Sequence, residues 1–532
     1  MYSDWHEFKR DTLSLTPYIR YTENMTIIRQ DDFIASIADA LQYISYYHPP
    51  DFIQALNEAY EKEQSTAAKD AIAQILINSR LCAEGHRPIC QDTGIVTVFL
   101  KIGMHVEWEA AMSVEAMVNE AVHRAYTDAE NPLRSSIVSD PAGARKNTND
   151  NTPAVIHTEV VSGDKVDIVV AAKGAGSENK AHFTVLNPSD DIVEWVLATV
   201  PKMGAGWCPP GILGIGIGGT AEKALLMAKE ALLKPINIHE LKTRGAKTSI
   251  EKLRLELYKK INTLGIGAQG LGGVTTVLDV KIRDYPTHAA SLPVAIIPNC
   301  AATRHAHITL DGSGPATLTP PALEDWPNIV WEAGAHAKKV DLDHITKEQI
   351  ETWQPGETLL LSGKLLTGRD TAHKRITGLL ANDEPLPKGL DFTNRFIYYV
   401  GPVDAVRDEA VGPAGPTTAT RMDKFTDVML EQTGLLGMIG KAERGPDTID
   451  SIRRHRAVYL IATGGAAYLI SKSIRKAHII AFKELGMEAV YEFEVEDMPV
   501  TVAVDSRGNS IHTSGPKEWH SRLAGIPITT AG

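Results

Sequence analysis

Cysteine is scarce in this chain. Its 532 residues hold four, Cys82, Cys90, Cys208 and Cys300, too few and too scattered for the disulfide framework of a small secreted domain. In a reducing compartment each is then a core residue or a metal ligand. Long apolar runs are missing too. No stretch is long enough to cross a bilayer, and residues 1–30 lack the apolar core of a signal peptide and mix acidic with basic residues, unlike a transit peptide. These absences make the cytoplasm the expected location. An excess of positive charge is also absent: at a net charge of -12 nothing at chain level draws phosphate, which argues against a nucleic-acid or anionic-membrane binder. An anionic substrate has to be met by local basic residues. There is no internal repeat of solenoid period and no low-complexity tract.

The 43% hydrophobic and 23% charged content is that of an ordinary globular protein, and the length exceeds what one hydrophobic core supports. Apolar residues recur at helical spacing over 32–46, 52–80 and 109–126. The runs 154–161 and 165–172 read as strands of a hairpin turning at Ser162-Gly163-Asp164. A helix follows the glycine-rich run 207–219, and 292–298 reads as a buried strand. The segment from 311 to about 354 is rich in Pro, Gly and charge and reads as a linker or peripheral segment. From 358 the chain turns strand-rich, with helices expected near 420–434 and 466–485. The expected organisation is an arm over 1–30, a first domain over 31–340 and a second over 341–532.

The stretch Ile89-Cys90-Gln91-Asp92-Thr93-Gly94 sets a thiol, an amide and a carboxylate in succession before a glycine that lets the backbone turn. It reads as one arm of a metal site beside a substrate pocket, since a thiolate ligates soft metals while the other two groups hydrogen-bond a small polar substrate. Lys173-Gly174-Ala175-Gly176-Ser177-Glu178-Asn179 follows a strand, and its N–H groups are suited to a carboxylate or phosphate. Gly214, Gly216 and Gly219 match the spacing of a dinucleotide fingerprint, as do Gly265, Gly267 and Gly270. The context is wrong: Pro-Pro precedes the first match and a strand-like run follows the second. Close backbone packing is the preferred reading of both.

Cys90, Cys208 and Cys300 each sit in a loop with special backbone chemistry, 118 and 92 positions apart, which fits no zinc-finger or ferredoxin spacing. A cubane held by three thiolates would leave one iron open to act as a Lewis acid. Cys82, in a helical, alanine-rich setting, reads as core.

A series of motifs then appears in order: Cys-Gln-Asp-Thr-Gly at 90–94, Leu-Arg-Ser-Ser at 133–136, Asp-Asn-Thr-Pro at 150–153, Lys-Gly-Ala-Gly-Ser-Glu-Asn at 173–179 and Gly-Ile-Gly-Gly-Thr-Ala-Glu at 216–222. It continues with Pro-Thr-His-Ala-Ala at 286–290, Gly-Arg-Asp-Thr-Ala-His-Lys at 368–374, Gly-Pro-Thr-Thr-Ala-Thr-Arg-Met-Asp at 415–423 and Gly-Lys-Ala at 440–442. In these the chain resembles the class I, iron-sulfur-dependent fumarate hydratases over nearly all of its length after the first thirty residues. The resemblance implies an α+β amino-terminal domain holding a [4Fe-4S] cluster on Cys90, Cys208 and Cys300. It also implies a smaller α/β swivelling carboxy-terminal domain, an active site between the two, a homodimer, and reversible hydration of fumarate to S-malate.

A four-carbon dicarboxylate needs cations at both ends, and Arg134, Arg369, Arg421 and Lys441 stand at loop or element-end positions in both domains. Arg421 is the least surface-like, where an extended loop meets an expected helix N-terminus. The reaction also needs a base. The resemblance points to Thr417, whose hydroxyl requires cationic surroundings, while Asp92 and His288 are the more conventional candidates. The working assignment has Thr417 as base, with Asp92, Asp150 and His288 as a supporting proton and hydrogen-bond network. Gln91, Arg134, Arg369, Arg421 and Lys441 are substrate ligands, and Gly174 and Gly176 offer backbone donors. Three rivals stand beside this reading: a hydro-lyase for tartrate or mesaconate, an NAD-dependent oxidoreductase on the glycine matches, and a non-catalytic iron-sulfur protein. The cation set argues against the last.

Overall fold

The computed structural model describes residues 25–329 and 337–525, so most of the expected arm lies outside the described residues. Thr26–Arg29 form a strand parallel to Val106–Glu109. The helix Gln30–Tyr46 buries Phe33, Ile34, Ile37, Ala40, Leu41 and Ile44, the spacing of one helical face. The periodic run at 52–80 is two helices, Pro50–Lys62 and Thr66–Gly85. The break has a cause. Buried Glu63 turns its carboxylate onto the N–H groups of Ser65, Val274 and Thr275, and Ser65 caps the second helix. The helix expected over 109–126 is Val114–Tyr126, shortened because 106–109 is strand.

Two four-stranded sheets build the rest of this half. In the first, the spatial order is His305–Leu310, Val166–Lys173, Ile95–Gly103, Val155–Val161. The hairpin expected between the last strand and Val166–Lys173 does not form. Ile95–Gly103 lies between them, antiparallel to one and parallel to the other. This run is buried along most of its length, so it takes a central position, and the turn at Gly163 wraps its end by accepting from His105 N.

The second sheet runs Val277–Tyr285, Gly211–Gly218, Leu292–Asn299, His182–Leu186. Gly214 and Gly216 are inside a wholly buried strand, beneath the helix Ala221–Ala231. A Cβ on Gly214 would strike the Ala228 carbonyl oxygen, and one on Gly216 the Ala224 carbonyl oxygen. These glycines allow helix and strand to touch.

In the other half, strand Val490–Val504 pairs with Val458–Ile461 on one side and Thr358–Thr367 on the other. With Phe396–Tyr398 and Gly437–Gly440 between them, five strands close a small barrel. Strict alternation divides its faces. Phe396, Tyr398, Ile439, Val458 and Leu460 fill the interior, while Ile397, Met438, Tyr459 and Ile461 face outward onto Ile376, Met429 and Ile452 of three flanking helices. Those helices are Asp370–Ala381, Asp423–Thr433 and Pro446–His455. The helix expected over 466–485 is instead a short one, Ala467–Lys472, followed by strand Ile474–Ala481 on the barrel's flank. Its Ile474, Ile479 and Ile480 suit a strand once a partner is present. Strand Lys338–Asp341, at the boundary expected near 340, pairs with Thr358–Thr367. Among the described residues no helix is long and apolar enough to cross a membrane.

Two glycine substitutions test the packing. Gly216→Ala should lower the unfolding free energy by about 1–3 kcal/mol, as overpacking does. Gly378→Ala, in helix Asp370–Ala381 with nothing within 4 Å of a new Cβ, should raise it by about 0.5–1 kcal/mol. Denaturant titration measures both.

Candidate active site

Three loops of the amino-terminal half meet under one loop of the other. The helix Thr66–Gly85 ends at His86, whose left-handed backbone (φ 49) turns the chain into the Cys90 loop. Asn78, fully buried on that helix, donates to Ile89 O at 3.1 Å and to Gly465 O at 3.0 Å. Its carbonyl accepts from the N–H groups of Tyr468 and Leu469. One amide thus joins the Cys90 loop to the opposing half. Cys208 has φ 57, and its carbonyl accepts from Ala301 N at 3.1 Å, which ties its loop to that of Cys300. Gln269 bonds Pro209 O and both backbone groups of Gly464, and a Cβ on Gly464 would collide with Cys208 Sγ.

All four cysteines are free. Cys82 is core, buried with Ile89, Ala302 and Tyr468, and Cys90 and Cys300 pack against that group. Among the described residues no three His, Cys, Asp or Glu side chains gather closely enough to share a single metal ion. A cubane makes a different demand, because each thiolate takes a different iron and the sulfurs stand further apart. Three free thiols on linked loops, with Lys441 Nζ 3.1 Å from Cys208 Sγ and Arg304 beside Cys90, are a donor set that could hold such a cluster. Burial pushes the Cys90 thiol up, and Arg304 and Lys441 oppose it. At Lys441 burial alone would depress the ammonium, but the charges of Cys208, Cys90 and Cys300 win and hold it above the ordinary lysine range. The Lys441 ammonium is thereby the cationic partner of the Cys208 sulfur.

The other expected residues gather here with two exceptions. Asp92 accepts from Ala175 N at 2.9 Å and Gly94 N at 3.2 Å. Burial favours its neutral form, yet Arg134, Arg304 and Lys441 hold its carboxyl below the usual range. Gly174 makes room for it, since a Cβ there would lie 3.0 Å from Asp92 Oδ2. The Ala175 N–H, between the two glycines expected to offer donors, is thus spent on Asp92. Gln91 Nε2 donates to Pro416 O at 3.1 Å, and Arg134 Nη1 to Gly401 O at 2.6 Å. Burial, then the neighbouring Arg369, pulls Arg134 down to about 10, still protonated at neutral pH. Arg369 stands 3.6 Å from Glu488. Thr417 Oγ1 accepts from Arg421 Nη2 at 2.9 Å. Asp150 instead pairs with His123 at 3.2 Å and with Thr152. His288 is exposed on the turn between two strands, its Nδ1 accepting from Ala290 N. No hydrogen bond joins either to Asp92 or Thr417 among the described residues. Asn151, next to Asp150, is the residue that reaches the Cys90 loop, donating to Gly94 O at 3.0 Å.

Arg304 was not among the expected site residues. It is 3% exposed, its Nε and Nη1 find no hydrogen-bond partner among the described residues, and its charge acts on Cys90 and Asp92. The available signal was an arginine ending the apolar Asn-Cys-Ala-Ala-Thr-Arg run.

Residues 34–309 match the family model described as fumarate hydratase (Fumerase), and 312–515 match fumarase C-terminus. This chain belongs to the fumarate hydratase family. The anaerobic class I fumarate hydratase of Escherichia coli K12 is 32% identical over 466 residues, 85% of this chain and 84% of that protein. The aerobic class I enzyme of the same strain is 34% identical over 468 residues, 84% and 83% of the two chains. A provisionally named L(+)-tartrate dehydratase subunit alpha of Methanocaldococcus jannaschii is 40% identical over 276 residues, 51% of this chain and 94% of its own. Fumarate hydratase relatives thus align across both halves of the site, and the tartrate dehydratase subunit across about one half of the chain.

Burial of two histidines beside Arg304, one in the chain and one in the fold, has a measurable consequence. Burial, reinforced by Arg304, lowers His48 to about 3, and burial lowers His305 to about 3, against an ordinary 6.5. Below pH 6.5 the unfolded chain takes up protons that the folded one refuses, so stability falls as pH drops towards 3. Each histidine contributes up to about 1.4 kcal/mol per pH unit. His48→Asn should remove one such share, measured as a shallower loss of unfolding free energy between pH 6 and 4.5.

Proposed function

We propose that this chain catalyses the reversible hydration of fumarate to S-malate. The observation that carries the reading is the gathering of Arg134, Arg369, Arg421 and Lys441, drawn from both halves, around Asp92, Thr417 and three thiol-bearing loops. A four-carbon dianion meets cations at both ends there, and arginine forks match carboxylates. A [4Fe-4S] cluster held by Cys90, Cys208 and Cys300 would supply a Lewis-acidic iron with an open position. Gln91 and the four cations bind and orient the substrate. In the dehydration direction Thr417 acts as the alkoxide, which the Arg421 guanidinium on its Oγ1 stabilises, and takes the carbon-bound proton next to a carboxylate to become the hydroxyl; in hydration that hydroxyl returns the proton to carbon. Asp92, kept ionised, is the competing base. Asp150 and His288, the other two members of the expected proton network, act on this reading from outside the central set. The swivelling of the carboxy-terminal half, a homodimer, a cytoplasmic setting, a place in the tricarboxylic acid cycle and oxygen sensitivity belong to the same reading.

A second reading, hydration chemistry on tartrate or mesaconate, draws on the similarity to the tartrate dehydratase subunit. The match of 312–515 to the fumarase C-terminus favours fumarate. Both readings are tested with anaerobically reconstituted enzyme offered fumarate, mesaconate and tartrate in parallel. Malate formation faster than any other turnover is expected, and turnover of tartrate or mesaconate without fumarate would overturn the assignment. Thr417→Ala should lower kcat by about 10²–10⁴-fold, the usual worth of a general base, with the cluster absorbance retained. Near-normal turnover by that variant, with Asp92→Asn inactive, would transfer the role to Asp92.

A further inference from the structure

We propose that Arg87 is a positioning residue for this reaction, acting through the loop 401–415 that it clasps. The proposal rests on the functional reading for what the loop serves, and on geometry for how the loop is held. Val400 and Pro416 form an antiparallel bridge, so the intervening residues leave and rejoin the fold at one neck, in the manner of an Ω-loop. At the neck Gln91 donates to Pro416 O at 3.1 Å and Arg134 to Gly401 O at 2.6 Å. Thr417 follows directly.

Arg87 takes the far end. Its Nε and Nη2 meet the two carboxylate oxygens of Glu409, each at 3.0 Å, and Nη2 also donates to Asp404 O at 2.8 Å. The remaining arm, Nη1, donates to Asn131 Oδ1 at 2.9 Å. Asn131 is bonded in turn to Gln42 and Ser45 of helix Gln30–Tyr46. The pair is 1% and 9% exposed, and a planar fork so buried fixes orientation as well as distance. Glu409 also accepts from Val406 N at 3.1 Å, so the grip reaches the loop's own backbone. Gly412 lets the loop close on the guanidinium, since a Cβ there would lie 2.8 Å from Arg87 Nη2. The far end touches none of the residues assigned to substrate. Its contribution is to fix the neck, and hence Gly401 with Arg134 on one side and Thr417 on the other. A slack loop would displace base and clamp together.

Arg407, exposed on this loop, provides a readout that needs no turnover. In reconstituted full-length enzyme, Glu409→Gln and Arg87→Lys should both speed trypsin cleavage after Arg407. Each should lower kcat per bound cluster by about 10-fold or more, the scale of a misplaced catalytic group, with KM changing less than kcat. The lysine keeps the charge and loses the fork, so wild-type behaviour of Arg87→Lys would overturn the proposal. Unchanged cleavage in Glu409→Gln would do the same, as would faster cleavage with unchanged kcat. Wild-type enzyme that fails to hydrate fumarate would instead overturn the functional reading, while cleavage still reports the attachment of the loop.

Discussion

Buried positive charge is the constraint on which the site depends. Arg134, Arg304, Arg369 and Lys441 crowd the junction of the two halves, where Asp92 and, at 3.6 Å from Arg369, Glu488 are anions that face them. Guanidinium and ammonium groups taken out of water cost several kcal/mol each unless anions answer them. On the proposed function, three cluster-bound thiolates and a dicarboxylate would supply that negative charge. The same field keeps Asp92 ionised, and Arg421 sets a cation at the Thr417 hydroxyl, so on the proposed function binding and basicity come from one arrangement.

Neither half holds this arrangement alone. The amino-terminal half brings three thiols, Asp92 and Arg134 on loops anchored by helix Thr66–Gly85 and two sheets. The carboxy-terminal half brings Arg369, Thr417, Arg421 and Lys441 from the rim of a closed barrel. Among the contacts that join them are three amides and a buried ion pair: Asn78 to Gly465, Gln269 to Gly464, Gln91 to Pro416, and Arg87 to Glu409. Directional contacts of this kind set register between rigid bodies better than apolar contact does.

Much of the site was legible because its chemistry is local. A thiol, an amide and a carboxylate in succession before Gly94 announce a polar loop whatever surrounds them. Helices with one apolar face, such as Gln30–Tyr46, were equally plain. Arg421, expected to be the least surface-like of the four cations, is instead the exposed one, its side chain 45% exposed and 3.3 Å from Asp370, because the helix start it precedes lies at the surface. The misreadings are non-local. Two strand-like runs about a Gly turn predict a hairpin, but only the folded sheet shows Ile95–Gly103 inserted between them. The Ile474–Ala481 run follows a real helix and becomes strand only because Val490–Val504 offers a partner. Arg304 is marked only by its place at the end of the 299–304 run, and its meaning comes from the thiols and carboxylate it meets in three dimensions. Asp150 and His288 drew attention through their motifs, yet their side chains turn to His123 and to solvent.

The most direct test of the proposed cluster-bearing, dianion-binding site is to follow malate formation from fumarate as iron and sulfide are restored to iron-free protein without oxygen. Activity should rise in proportion to bound iron, fall on exposure to air, and return with iron and thiol. Full activity in iron-free protein would contradict the account.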